Sequence, residues 1–136
     1  MKTMSQEIDQ TDFEIRFFER LLASKSDFVE AMIPLADAYT KRGLYEKGYA
    51  LDLRLSQLKP ADESVFYNLA CSEALLGKRD AAIRSLRKAV ELGYLDLVHL
   101  LSDKDLSSLQ DSPEFLEIVH TLKTRLRRLS KERGPL

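Results

Sequence analysis

The residue types that carry most enzyme chemistry are scarce in this chain. It has one cysteine, Cys71, and two histidines, His99 and His120. A cysteine nucleophile needs a base, and neither histidine is close to Cys71 in sequence. Metal ligands at a recurring spacing and a glycine-rich phosphate loop are also absent from the sequence. We therefore expect no catalytic residue, no cofactor and no metal site, and we expect Cys71 to be a small packing residue of a helix.

The composition fits one intracellular domain. The length of 136 residues is ordinary for a domain, and 44% hydrophobic with 32% charged residues is typical of a folded chain. A net charge of -1 argues against a general nucleic-acid binder, because such proteins are usually basic. No apolar run has the length of a signal peptide core near the start or of a membrane helix elsewhere. We expect a cytoplasmic protein without a membrane partner.

The elements that would position a site come from an internal repeat. Gly43 and Gly77 are 34 residues apart, and the same shift superposes six further pairs of residues. These pairs are Leu35 and Leu69, Ala36 and Ala70, Leu58 and Leu92, Met32 and Phe66, Gly48 and Ala82, and Leu55 and Ala89. Large residues fall on large ones and small on small, except where Leu55 falls on Ala89. Agreement of this extent at one offset predicts two copies of one structural unit.

Each copy has the pattern of two helices joined by a glycine turn. In the first copy, apolar residues at helical spacing over 32–39 predict one helix, and Gly43 supplies the turn. The second helix is predicted over 45–58, and Pro60 stops it because proline lacks an N–H and clashes with the preceding turn. Asp27 is the predicted N-cap of the first helix.

The stretch FYNLACSEALLGKRDAAIRSLRKAVELG, which begins at Phe66, resembles the tetratricopeptide repeat, a helix–turn–helix unit of about 34 residues. The first copy reads M-x-x-L-A-x-x-Y from Met32, in keeping with the same pattern. The chain departs from it by lacking tryptophan, by Glu73 where tyrosine is usual, and by Pro34 inside the first helix. The resemblance implies an all-α fold, a right-handed superhelix of antiparallel helix hairpins.

On this resemblance, residues 1–136 form a single domain. Its parts are a half-repeat helix over 12–24, repeats over 29–62 and 63–96, a degenerate closing repeat with the C-terminal helix over 97–130, and a tail over 131–136. In the closing repeat Asp103 and Asp105 are predicted caps, and Ser112 is the predicted cap of a helix that starts at Pro113.

In proteins with this repeat, the side of the first helix opposite the core lines a concave groove that binds peptides. The resemblance places eight residues on that side: Ile33, Asp37, Thr40 and Lys41 in the first repeat, and Tyr67, Asn68, Cys71 and Leu75 in the second. Apolar residues are unexpected on a solvated face. Two interpretations stay open: Tyr67, Cys71 and Leu75 line an open groove, or the C-terminal helix of the chain covers them.

The predicted function is a non-catalytic adaptor that binds a protein or peptide partner in this groove. The resemblance does not extend to members that clamp a terminal carboxylate, because Asp37 would repel an anion and only Asn68 is suited to bind one. Two alternatives stay open: a structural subunit whose helical face closes a homo-oligomer, and a nucleic-acid-associated factor that uses the basic C-terminal tail.

That tail, KTRLRRLSKERGPL, is rich in cations. They are Lys123, Arg125, Arg127, Arg128, Lys131 and Arg133. They could contact a nucleic acid or an anionic surface, or simply suit the negative end of a helix dipole, and the second interpretation is favoured. No aromatic residue lies among them, which argues against stacking on bases.

Overall fold

The structure, a computed structural model, describes residues 3–133 and leaves out the side chains of residues 8, 9 and 133. It contains seven α-helices and one 3-10 helix in the described residues, and no strand in that part of the chain. The α-helices are α1 Met4–Ser24, α2 Val29–Lys41, α3 Tyr45–Leu58, α4 Glu63–Leu75, α5 Arg79–Glu91, α6 Leu97–Ser102 and α7 Pro113–Arg133, and the 3-10 helix is Lys104–Leu109. The predicted all-α class is confirmed over this range.

The 34-residue period of the sequence is also the period of the helices. The helices α2 and α4 begin 34 residues apart, and so do α3 and α5. Gly43 and Gly77 have φ values of 76° and 75°, a left-handed conformation that side chains other than that of glycine rarely adopt. The Leu44 N–H donates to the Tyr39 carbonyl at 2.8 Å, and the equivalent bond of the second turn has the same length. Each turn therefore closes its hairpin in the same way.

The chain divides into two compact units, of which the first is Met1–Pro60. Here α1 packs on α2, and α2 packs antiparallel to α3. The first contact buries Ile15 of α1 against Leu35, Ala38 and Tyr39 of α2. The half-repeat helix was predicted to begin at residue 12, but α1 begins at Met4, where Thr3 and Gln6 form a capping box.

The second unit is Ala61–Leu136. The antiparallel pair α4 and α5 shares one core with α6, the 3-10 helix and α7. Ala70 and Ala82, where the repeat pattern calls for small residues, are completely buried. Ser112 caps α7 as predicted, since its Oγ accepts from the Phe115 N–H at 3.1 Å. Helix α7 runs on to Arg133, into the predicted tail, and residues 134–136 of that tail lie outside the described residues.

The predicted cap at Asp27 is wrong. Helix α2 begins at Val29, and its N-cap is Phe28, which makes no side-chain capping bond. Asp27 is one position too early, because a capping side chain must belong to the residue directly before the first helical one. Asp62 meets that condition for α4 and accepts from the two N–H groups that follow Glu63, at 2.9 and 3.3 Å.

Two further features of the sequence are Pro34 in the first helix and the caps predicted in the closing repeat. Helix α2 continues through Pro34 without a break. In the closing repeat, Asp103 caps the 3-10 helix as predicted, since its Oδ1 accepts from the Asp105 N–H at 3.0 Å. The predicted cap at Asp105 is wrong, because Asp105 lies inside the 3-10 helix and its backbone N–H is the group that Asp103 caps.

Candidate peptide-binding surfaces

The first four predicted binding residues lie on α2. The side chain of Ile33 is 44% exposed. One turn further on, Asp37 forms an exposed ion pair with Lys41 at 3.0 Å, and Asp37 is the main cause of a raised pKa for Lys41. Ile33, Asp37 and Lys41 thus share an exposed strip, which we call the α2 face.

Thr40 is turned toward α3 instead. Its Oγ1 donates to the Ala36 carbonyl at 3.1 Å. A Cβ added at Gly48 of α3 would lie 3.0 Å from that oxygen, which is closer than side chains normally approach. Thr40 and Gly48 therefore mark the close approach of the two helices, and Thr40 is the least available of the four.

The other four residues lie on α4 and have different surroundings. Tyr67 and Cys71 are only 4% and 8% exposed. Asn68 is exposed, and Leu75 is partly buried. The residues that cover Tyr67 and Cys71 come from 94–109, which we call the cover segment; it contains α6 and the 3-10 helix.

One carboxylate fastens the cover segment to α4. The Tyr67 hydroxyl donates to Asp103 Oδ2 at 2.7 Å, and the Cys71 thiol donates to the same oxygen at 3.6 Å. The ring of Tyr94 stacks on that of Tyr67, with centroids 4.4 Å apart and planes 7° from parallel. His99 adds a contact from its Nε2 to Asp103 Oδ2 at 3.3 Å. Asp103 is therefore both the cap of the 3-10 helix and the acceptor for two side chains of α4.

These surroundings favour the protonated forms of Tyr67 and Cys71. Burial, then the charges of Asp103 and Asp105, raise the pKa of the Cys71 thiol far above its ordinary value. Burial, then the hydrogen bond to Asp103, raise the pKa of Tyr67. A cysteine acts as a nucleophile through its thiolate, so this environment suppresses that reactivity.

A group of potential metal ligands occurs at the same place. Cys71 Sγ and carboxylate oxygens of Asp103 and Asp105 lie within 4.8 Å of one another. Hydrogen bonds within the chain explain the arrangement, because each oxygen of Asp103 already accepts from a protein donor. Metal coordination would also require the Cys71 thiolate, which burial and the two carboxylates disfavour.

The cover of α4 is the feature that the sequence did not reveal. The alternative to an open groove was cover by the C-terminal helix, but α7 packs on α5 and α6. The signals in the sequence were Tyr94, which follows the glycine turn of the second repeat, and Asp103, which is recognisable as a cap alone. Contact between α4 and residues about 30 positions later has no periodic signal.

The sequence of this chain is similar to part of a known protein. No family model matches the chain. It is 31% identical to a chloroplastic protein of Arabidopsis thaliana over 80 residues, which are 57% of this chain and 24% of that protein. The chain thus spans about a quarter of that relative's length.

A solved structure gives a broader match. The crystal structure of MamA superposes with a TM-score of 0.70 over 91% of this chain and 75% of MamA, at 16% sequence identity. The match shows a tetratricopeptide-like helical-repeat fold, as the sequence pattern predicted. Among the described residues no helix is long and apolar enough to cross a membrane.

Proposed function

We propose that this chain is a non-catalytic protein-interaction adaptor that binds a segment of a partner protein on the α2 face. The observation that carries the proposal is the contrast between two equivalent helices. On α4, Tyr67 and Cys71 are occupied by the cover segment, whereas on α2 the equivalent positions, Ile33 and Asp37, are exposed. In the second repeat, the cover segment of the same chain occupies this side of α4. In the first repeat, the equivalent side of α2 is exposed, and we assign it to a partner.

The side chains of the α2 face favour a particular chemistry. The α4 side accepts an aspartate because Tyr67 and Cys71 are hydrogen-bond donors. Ile33 has no donor at the equivalent position, and Asp37 has a carboxylate that would repel an anion. An apolar residue against Ile33 and a Lys or Arg against Asp37 would be complementary. The ion pair between Asp37 and Lys41 is no obstacle, because exposed ion pairs contribute only about 0–1 kcal/mol.

Peptide display on the folded chain tests the proposal. We expect a random peptide library to yield binders with an apolar residue near a Lys or Arg. Ile33→Glu should abolish their binding, and Asp37→Lys should weaken it and select acidic residues instead. Both side chains are exposed, so the variants should keep the helicity and melting temperature of the parent.

The matched control is Val98→Glu, which introduces the same charge at an exposed apolar residue of α6. It should leave the selected peptides bound. Equal loss of binding in Ile33→Glu and Val98→Glu would contradict the α2 face as the site. Failure of the library to yield any peptide sensitive to Ile33 would contradict it too.

A further inference from the structure

Helix α1 carries apolar side chains on two opposite sides. One side, with Ile15, Phe18 and Leu22, packs on α2. The other carries Phe13 and Phe17, one helical turn apart, with 63% and 48% of their surface exposed. A single exposed phenylalanine is ordinary, but two in one stripe of a helix already packed on its other side form an apolar face that no other part of the described chain covers.

The exposed ring of Phe17 is held by the core. It makes an edge-to-face contact with Phe18, with centroids 5.3 Å apart and planes at 70°. Phe18 itself is partly buried on the side that packs on α2. Because this contact already restricts the Phe17 ring, binding against it loses less conformational entropy than binding against a free side chain.

Cations lie along one edge of the apolar stripe. Arg16 and Arg20 follow Phe13 by three and seven positions, so all four side chains project from one side of the helix, which we call the outer face of α1. Both arginines are exposed, and among the side chains that the structure describes neither forms an ion pair. The acidic side chain of Asp12, by contrast, bonds to Arg42 at 2.7 Å. The described side chains of the outer face are therefore aromatic and positively charged.

We propose that the outer face of α1 is a second docking surface, which binds an amphipathic helix of a partner with acidic residues beside its apolar stripe. Aromatic residues and arginine are the types most enriched where protein interfaces are energetically strongest. The charge selects the occupant, because a second copy of this chain bound through the same face would set arginines against arginines. The proposal does not depend on the α2 face.

Two designed helical peptides serve as probes. Each has about four turns, a leucine stripe at i, i+4 spacing, and flanking residues that are all Glu in one peptide and all Lys in the other. Fluorescence anisotropy with the full chain should detect binding of the Glu peptide and not of the Lys peptide. The affinity should fall steeply with added salt, since the arginines are exposed.

Variants of the chain locate the binding. Replacing Phe13 and Phe17 together by Ala should lower the affinity for the Glu peptide at least about tenfold. Arg16→Glu with Arg20→Glu should reverse the preference, so that the Lys peptide binds better. Val98→Ala, which truncates an exposed apolar side chain of α6, is the control and should bind like the parent. Circular dichroism checks that each variant remains folded.

The proposal is wrong if neither peptide binds, if both bind alike, or if the phenylalanine variant binds like the parent while folded. Sedimentation tests the other occupant. A dimer of the parent chain that dissociates when Phe13 and Phe17 are replaced would assign the outer face to a second copy and overturn the proposal. A failure to find peptides that depend on Ile33 leaves this test unaffected, so the α2 face and the outer face of α1 are tested independently.

Discussion

Tyr67 and Asp103 are 36 residues apart in the chain and 2.7 Å apart between hydroxyl and carboxylate oxygens. This bond joins the first helix of the second repeat to the residue that caps the 3-10 helix. The same carboxylate oxygen accepts from Cys71. One aspartate thus links the side of α4 that the repeat pattern associates with peptides to the cover segment of the same chain, beside the apolar contacts of the shared core.

Replacing Asp103 should destabilise the second unit. We expect Asp103→Ala to lower the free energy of unfolding by about 2–3 kcal/mol, because hydrogen bonds to charged groups contribute about 1.5–3 kcal/mol and a cap is lost too. Asp103→Asn, which can still accept and cap, should cost less. Urea unfolding measures both. Tyr45→Phe removes an exposed hydroxyl and is the control, with an expected change within about 0.5 kcal/mol. An Asp103→Ala protein as stable as the parent would mean that the cover segment is held by other contacts.

The thiol of Cys71 should be protected in the folded protein. Burial and neighbouring carboxylates raise its pKa, so both access and thiolate formation are suppressed. We expect reaction with a thiol reagent at neutral pH to be roughly a hundredfold slower than in urea. An exposed cysteine made by Ala23→Cys in a Cys71→Ser background should react fast in both. Fast reaction of Cys71 in the folded parent would show that the cover segment opens readily.

Glu73 should make stability depend on pH. Its carboxyl is buried, and the Ser85 hydroxyl donates to Oε1 at 2.6 Å. Burial raises the pKa of Glu73, an effect that Ser85 and the charges of Arg84 and Lys78 oppose. A carboxyl whose pKa is higher in the folded state favours folding while protonated. Its contribution is therefore complete below about pH 4.5 and falls as the pH rises through the folded-state pKa.

The matching variant is Glu73→Gln, which cannot ionise and keeps an oxygen acceptor for Ser85. Between pH 4 and 7 the stability of the variant relative to the parent should increase, as measured by urea unfolding at each pH. A difference that stays constant or decreases over this range would contradict a raised pKa for Glu73.

The small residues of the repeat test the helix register. Ala70 and Ala82 are completely buried, so Ala70→Leu and Ala82→Leu should each cost about 1–3 kcal/mol by overpacking. Ala23→Leu, at an exposed position of α1, is the control and should change stability by less than about 0.5 kcal/mol. If both buried variants melted like the parent, helices α4 and α5 would not approach each other as described.

The repeat could be predicted because its determinants are local. Gly43 and Gly77 permit the left-handed turn, and the alternation of small and large residues fixes which sides of the helices meet. The bond from Tyr67 to Asp103 could not be predicted, since it depends on how a non-repetitive segment folds back. Glu73 illustrates the same limit: it departs from the pattern of the repeat, and its partner Ser85 becomes evident only once the two helices are packed.

The most direct test of the adaptor account is an NMR titration with a peptide selected on the folded chain. Isoleucine methyl groups report on separate places, with Ile33 on the α2 face and Ile83 and Ile118 in the core of the second unit. The account predicts that the Ile33 methyl signal shifts on binding. The methyl signals of Ile83 and Ile118 should not shift, and Cys71 should remain protected from thiol reagents. Shifts at Ile83 or Ile118 with exposure of Cys71, and an unchanged Ile33 signal, would show that the partner displaces the cover segment from α4 and would contradict the account.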